Sequence, residues 1–271
     1  MATDPDRRQN RTSRFIWIAI FATLVVAGGT WWESGLSCLA TIDFVWNAWH
    51  FGSQHAGILR IYSRKAGGGR PLFESYGIRL FVAYVALRTA SQLNGWLEMS
   101  QTVGSAVAVA DLAVMAVPLV LVVFEVADGV SKKPGKILYL TSVFLVYSAT
   151  LIAIREQAHR WLVPLSVASA AFHAVEYFAI VSYYAHRRKD SGSDSLFRTL
   201  ASHWAQVLAV YIVVVGAISS YWDRLDVEFR DWFLMANIWA AYLHYAYDGM
   251  IWKLRRSETA KSLGAEVPSS N

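Results

Sequence analysis

Three apolar stretches of this chain place imidazoles, carboxylates and amides at helical spacing. Asp43, Asn47, His50 and Gln54 follow one another at intervals of four, three and four residues, which is one face of an α-helix. His55 lies about 100° off that stripe. His173 and Glu176 stand three apart, and Asn237, His244 and Asp248 stand seven and four apart; each set again shares a helix face. His203 and Gln206 add a further imidazole and amide. An ionisable group in mid-bilayer costs several kcal/mol, so each is a functional candidate facing the interior of a bundle.

Imidazole with carboxylate suits iron, zinc or manganese. The single cysteine, Cys38, excludes an intrachain disulfide and any zinc-ribbon or dithiol chemistry. The expected imidazole ligands are therefore His50, His55, His173 and His244. Glu176 and Asp248 serve as carboxylate ligands or orienting groups, and Asn47, Gln54, Asn237 and His203 hold the ligands in place. One or two iron ions are the leading expectation, with zinc, manganese, haem or chlorophyll left open. Two irons bridged by Glu176 or Asp248 would activate O₂.

Depth along the helices supports a meeting of these groups. His50 lies 14 residues before Arg64, and His173 lies 14 before Arg187. Glu176, Gln54, His55 and His244 fall 9 to 11 residues before the first basic residue at their own inner ends. At about 1.5 Å per residue, all occupy a slab between mid-membrane and the inner interface. Arg88, inside another apolar stretch, needs an acid, and Asp111 and Asp43 are the candidates. A structural ion pair or a bidentate substrate contact would satisfy its guanidinium.

The elements that must carry these residues are membrane helices. Of 271 residues, 55% are hydrophobic and 14% aromatic, which leaves too little polar surface for a soluble globule. Crossing about 30 Å of hydrocarbon takes roughly 20 apolar residues. Stretches 15–32, 38–62, 77–97, 103–127, 137–154, 162–185, 199–221 and 233–252 meet that need, so the expected fold is an all-α polytopic membrane helix bundle of about eight transmembrane helices. Residues 1–14 form a cytoplasmic N-terminal segment, 15–254 the transmembrane domain and 255–271 a cytoplasmic tail. No small-residue cleavage pattern follows the first apolar run, which reads as a retained helix.

Charge placement is independent of hydropathy and agrees with it. With both termini cytoplasmic, 20 of the 25 basic residues fall in cytoplasmic segments, as the positive-inside rule requires. The net charge of +5 is thereby explained by orientation in a plasma membrane rather than by nucleic acid. Ala66-Gly-Gly-Gly-Arg70, Asp190-Ser-Gly-Ser-Asp194 and the tail Val267–Asn271 read as flexible. Expected partners are the lipid bilayer, a lipophilic substrate, an electron donor and partner membrane subunits.

The element Trp49-His-Phe-Gly-Ser-Gln-His55 resembles the first histidine box of membrane fatty-acid desaturases and hydroxylases, a di-iron family. That resemblance implies a membrane metal-dependent oxidoreductase of the oxygenase, hydroxylase or desaturase type. The family's two further boxes of adjacent histidines have no counterpart, since the chain contains no His-His pair. The endings Ile58–Lys65, Ile180–Lys189 and His244–Lys253 are similar to those of bacterial multipass membrane proteins. Two other classes stay open: a pigment- or haem-binding membrane subunit, and a proton-coupled transporter using Asp43, Arg88, Asp111, Glu176 and Asp248.

Overall fold

Prolines and glycines punctuate the chain into long helices. A computed structural model describes residues 5–31, 35–94, 101–129, 134–187 and 224–251, with isolated positions from 203 to 221. Among the described residues the secondary structure is helical, with no strand. The helices are α1 (Pro5–Gly29), α2 (Gly35–Lys65), α3 (Pro71–Asn94), α4 (Gln101–Ala127), α5 (Pro134–Arg155), α6 (Leu162–Arg187) and α7 (Val227–Ile251). Pro71 and Pro134 stand at the first helical position, where a missing N–H costs nothing. Asp226 caps α7, its Oδ1 accepting from the Phe229 N–H at 2.7 Å, the usual role of Asp at an N-terminus.

The Gly-rich run expected as a flexible loop is a built helix terminus. Gly67 adopts φ +71°, and the Gly67 and Gly68 N–H groups donate to the carbonyls of Arg64 and Ser63. That pattern is a Schellman cap. The seventh expected stretch, 199–221, lies largely outside the described residues, as do Asp190–Asp194 and the tail.

Among the described residues, three helices are long and apolar enough to cross a membrane: Val103–Ala127, Pro134–Arg155 and His159–Tyr183. They mark the chain as a membrane protein. The polarity that fills α2 and α3, from Asp43 to His55 and from Glu74 to Arg88, keeps those helices below that level of hydropathy. The apolar part of α1, Ser13–Gly29, is shorter. Burial is inverted as a lipid solvent requires: Leu119, Leu138 and Leu145 are more than half exposed, whereas His55, Glu74, Asp111, Lys136 and His173 are buried. So large an exposed apolar surface is otherwise rare.

The chain divides into two units. The first holds α1, the start of α2 up to Val45, and α7. Its core is Val26, Leu39 and Ile238, and Tyr242 and Tyr247 donate to the carbonyls of Leu39 and Phe15. The second holds α2 from Trp46 together with α3, α4, α5 and α6. Leu59, Ile78, Val82, Leu140, Val143 and Leu151 are fully buried in its centre. Gly52 lets α2 and α3 touch, because a Cβ there would lie 2.6 Å from the Arg79 carbonyl oxygen.

Candidate functional site

Within the second unit, α2, α5 and α6 converge on His55. Tyr139 and Tyr147 are eight residues apart, hence on one face of α5, and they bracket the imidazole. Nδ1 is 2.9 Å from the Tyr139 hydroxyl and Nε2 is 3.2 Å from that of Tyr147. Ser169 on α6 donates to the Tyr147 oxygen at 2.9 Å, and Tyr139 donates to the His55 carbonyl at 3.3 Å. A neutral imidazole with its proton on Nδ1 satisfies every member: Tyr147 donates to Nε2, and Nδ1–H faces the Tyr139 oxygen.

Glu176, on α6, approaches the same ring. Its Oε2 lies 3.0 Å from His55 Nδ1, with the carboxylate 9% exposed. That contact is close without being a directed hydrogen bond. Among the described residues, no well-aligned donor reaches either Glu176 oxygen. A buried carboxylate oxygen without a directed donor is open to a cation.

His50 and His173 form the second part of the site. Their rings meet edge to face with centroids 5.5 Å apart, and their ligand nitrogens lie within 4.8 Å of each other. His173 also stacks on Phe51 at 4.0 Å and stands 6.4 Å from the His55 ring. Gln54 donates through Nε2 to the His173 carbonyl at 3.2 Å, tying α2 to α6 beside the imidazoles. α2 runs unbroken from Gly35 to Lys65, so His50 and His55 lie about 140° apart around it, and both rings stand near His173.

A cavity of about 380 Å³ opens beside Glu176 and Tyr139. Its other walls are Ile58, Ile61, Tyr62 and Lys65 on α2 and Phe172, Val175, Ala179, Ile180 and Tyr183 on α6.

Most of the remaining sequence candidates make contacts within their own units. Arg88 forks onto Asp111, Nε to Oδ1 at 3.0 Å and Nη2 to Oδ2 at 3.1 Å, and Tyr84 adds a hydroxyl at 2.7 Å. Asp43, in the first unit, accepts from Tyr245 at 3.2 Å. Also in that unit, His244 Nε2 stands 3.8 Å from Asp248 Oδ2, and the Asn237 amide bonds its own helix at the Phe233 carbonyl. His203 lies exposed in a turn, and Asn47 is half-buried on α2.

Comparison with protein-family models, with curated proteins and with solved structures finds no match. The chemistry of the site therefore rests on its own residues.

Two groups escaped the sequence reading. Tyr139, Tyr147 and Ser169 carry no charge, and only the eight-residue spacing of the tyrosines hints at a shared face. Lys136, which charge counting assigns to a cytoplasmic loop, is 1% exposed and binds Glu74 at 3.0 Å and Glu125 at 2.6 Å. Ser63 donates to Glu74 at 2.6 Å, and the Arg70 N–H donates to its other oxygen. Gly69, at φ +150°, packs over this cluster, where a Cβ would lie 2.6 Å from Glu74 Oε1.

Proposed function

We propose that the protein is a membrane-embedded metal-dependent oxidoreductase that uses iron and O₂ on a lipophilic substrate. The observation that carries this reading is the pair His50, half-buried, and His173, buried, with their ligand nitrogens within 4.8 Å and Glu176 one turn along α6. Two histidines and one carboxylate with open positions form the ligand set of non-haem iron oxygenases. Nitrogen and oxygen donors also fit zinc or manganese, and Cys38 as sole cysteine offers nothing to a thiolate site.

The ion would supply oxygen activation. The chain's own residues hold and deliver protons: hydroxylation of a C–H bond by O₂ takes up two electrons and two protons and releases water. The electrons come from a donor protein or small reductant. Ser169, Tyr147 and His55 form a hydrogen-bonded row suited to proton supply, with Glu176 3.0 Å from His55 Nδ1. His55, with a tyrosine hydroxyl at each ring nitrogen, is an orienting and proton-carrying residue in this reading. Helical register in the sequence nominates His244 and Asp248 as additional ligands, and a second ion would require them.

Eight crossings, both termini on the cytoplasmic side and residence in the plasma membrane complete the proposal, supported by the placement of basic residues. Elemental analysis of the purified full chain in detergent tests it. Stoichiometric iron is expected, lost in His173→Ala; metal-free protein, or metal retained in both His50→Ala and His173→Ala, overturns the reading.

A further inference from the structure

α2 and α6 run side by side, and the cavity between them has two chemically different ends. At one end His55 meets Glu176 at 3.0 Å. At the other, the Lys65 ammonium sits 4.8 Å over the ring of Tyr183. Lining positions repeat along both helices at the same intervals: Ile58, Ile61, Tyr62 and Lys65 on α2, and Glu176, Ala179, Ile180 and Tyr183 on α6. Seven residues of α-helix separate Glu176 from Tyr183, a rise of about 10 Å. The trough is apolar along that length, carries a buried acid at its inner end and ends at an exposed lysine.

We infer that this trough binds a single-chain amphiphile with a monoanionic head, and that Lys65 selects and orients it. The signs of charge leave one orientation. Lys65 is the cation of the lining and holds the head at the outer end, so the apolar chain points toward Glu176. A single ammonium balances a single negative charge. A volume of about 380 Å³ admits one hydrocarbon chain rather than the two of a bilayer phospholipid. Val175, 45% exposed, and exposed Ala179 leave one side of the trough open for entry from the lipid phase. This assignment names the substrate class of the proposed metal centre and rests on that reading only for the reaction after binding.

Titration of the full chain in phosphatidylcholine nanodiscs with radiolabelled decanoic acid, a carboxylate short enough for the trough, and with its methyl ester tests the inference. The acid should bind saturably at one per protein, and the uncharged ester at least tenfold more weakly. Lys65→Gln should weaken the acid about tenfold and leave the ester unchanged, Lys65→Arg should restore it, and Ala179→Trp should remove saturable binding of both. Equal affinity for acid and ester, or a non-saturable signal that persists in Ala179→Trp, overturns the inference. Running each titration beside metal analysis separates the two claims: saturable acid binding by metal-free protein sinks the metal reading alone, and stoichiometric metal without saturable binding sinks the amphiphile alone.

Discussion

Oε2 of Glu176 on α6 lies 3.0 Å from Nδ1 of His55 on α2, while the other imidazole nitrogen is 3.2 Å from the Tyr147 hydroxyl. His55 thus connects a carboxylate at the edge of the cavity to a serine and two tyrosines inside the bundle. In the proposed centre it stands behind the ligands. Loss of a group that orients ligands lowers metal affinity by about 10–100-fold without abolishing the site. His55→Ala should weaken iron binding by about that factor yet reach full stoichiometry at excess metal, whereas His173→Ala should not. Competition against a chelator of known affinity checks both.

Tyr147→Phe removes one oxygen that serves two partners, His55 and Ser169. Both are buried, so each loses a hydrogen bond that solvent does not replace. Within membranes such bonds contribute about 0.6–2 kcal/mol, and a loss of about 1–2 kcal/mol is expected. Thermal unfolding in detergent should show a lower midpoint for Tyr147→Phe and no change for Tyr76→Phe, whose ring is exposed.

Gly52 is a second point of sensitivity, about one turn before His55 on α2. Because a Cβ would lie 2.6 Å from the backbone oxygen of Arg79, Gly52→Ala must push α2 and α3 apart. Overpacking of this kind costs about 1–3 kcal/mol. Gly57, with open space around its Cβ position, should accept alanine at no cost, and the pair of melting curves makes the comparison.

The Lys136 cluster makes stability depend on charge and pH. Lys136→Met leaves the buried carboxylates of Glu74 and Glu125 without their shared cation, a loss of about 3–5 kcal/mol for a broken buried pair. Glu74 lies ahead of the apolar stretch 77–97. Burial pushes its carboxyl up, but hydrogen bonds from Ser63 and Lys136 outweigh this and hold it below the ordinary 4.5. A depressed carboxylate contributes stability that is present above its unfolded value and lost as pH falls through the folded one. Wild type should therefore lose stability as pH drops below 4.5, and Glu74→Gln should flatten that slope. Melting curves taken from neutral pH down to about pH 3, below the unfolded carboxylate value, measure it.

Depth and face were legible in the sequence; partners were not. Equal distances from Arg64 and Arg187 placed His50 and His173 at one level, and their rings meet edge to face. The i, i+3 spacing put Glu176 beside His173 on α6. Nothing in hydropathy distinguishes Tyr139 and Tyr147 from membrane-belt tyrosines, because the hydrogen bonds to His55 depend on how α5 is rotated against α2. Lys136 counted as a loop cation for a related reason: charge counting sees its sign and position, whereas its burial comes from Glu74 and Glu125 on two other helices. α2 covers its expected stretch and α3 covers 77–94 of its own, and their internal polarity is what hides them from a hydropathy criterion.

The most direct measurement of the proposed metal centre is an anomalous-scattering map at the iron edge, from crystals of the full chain grown with ferrous iron. A strong peak is expected about 2.0–2.2 Å from an imidazole nitrogen of His50, one of His173 and an oxygen of Glu176, the usual range for such metal ligands. No peak at those residues, or the flat density of a macrocycle against His50 and His173, would contradict it.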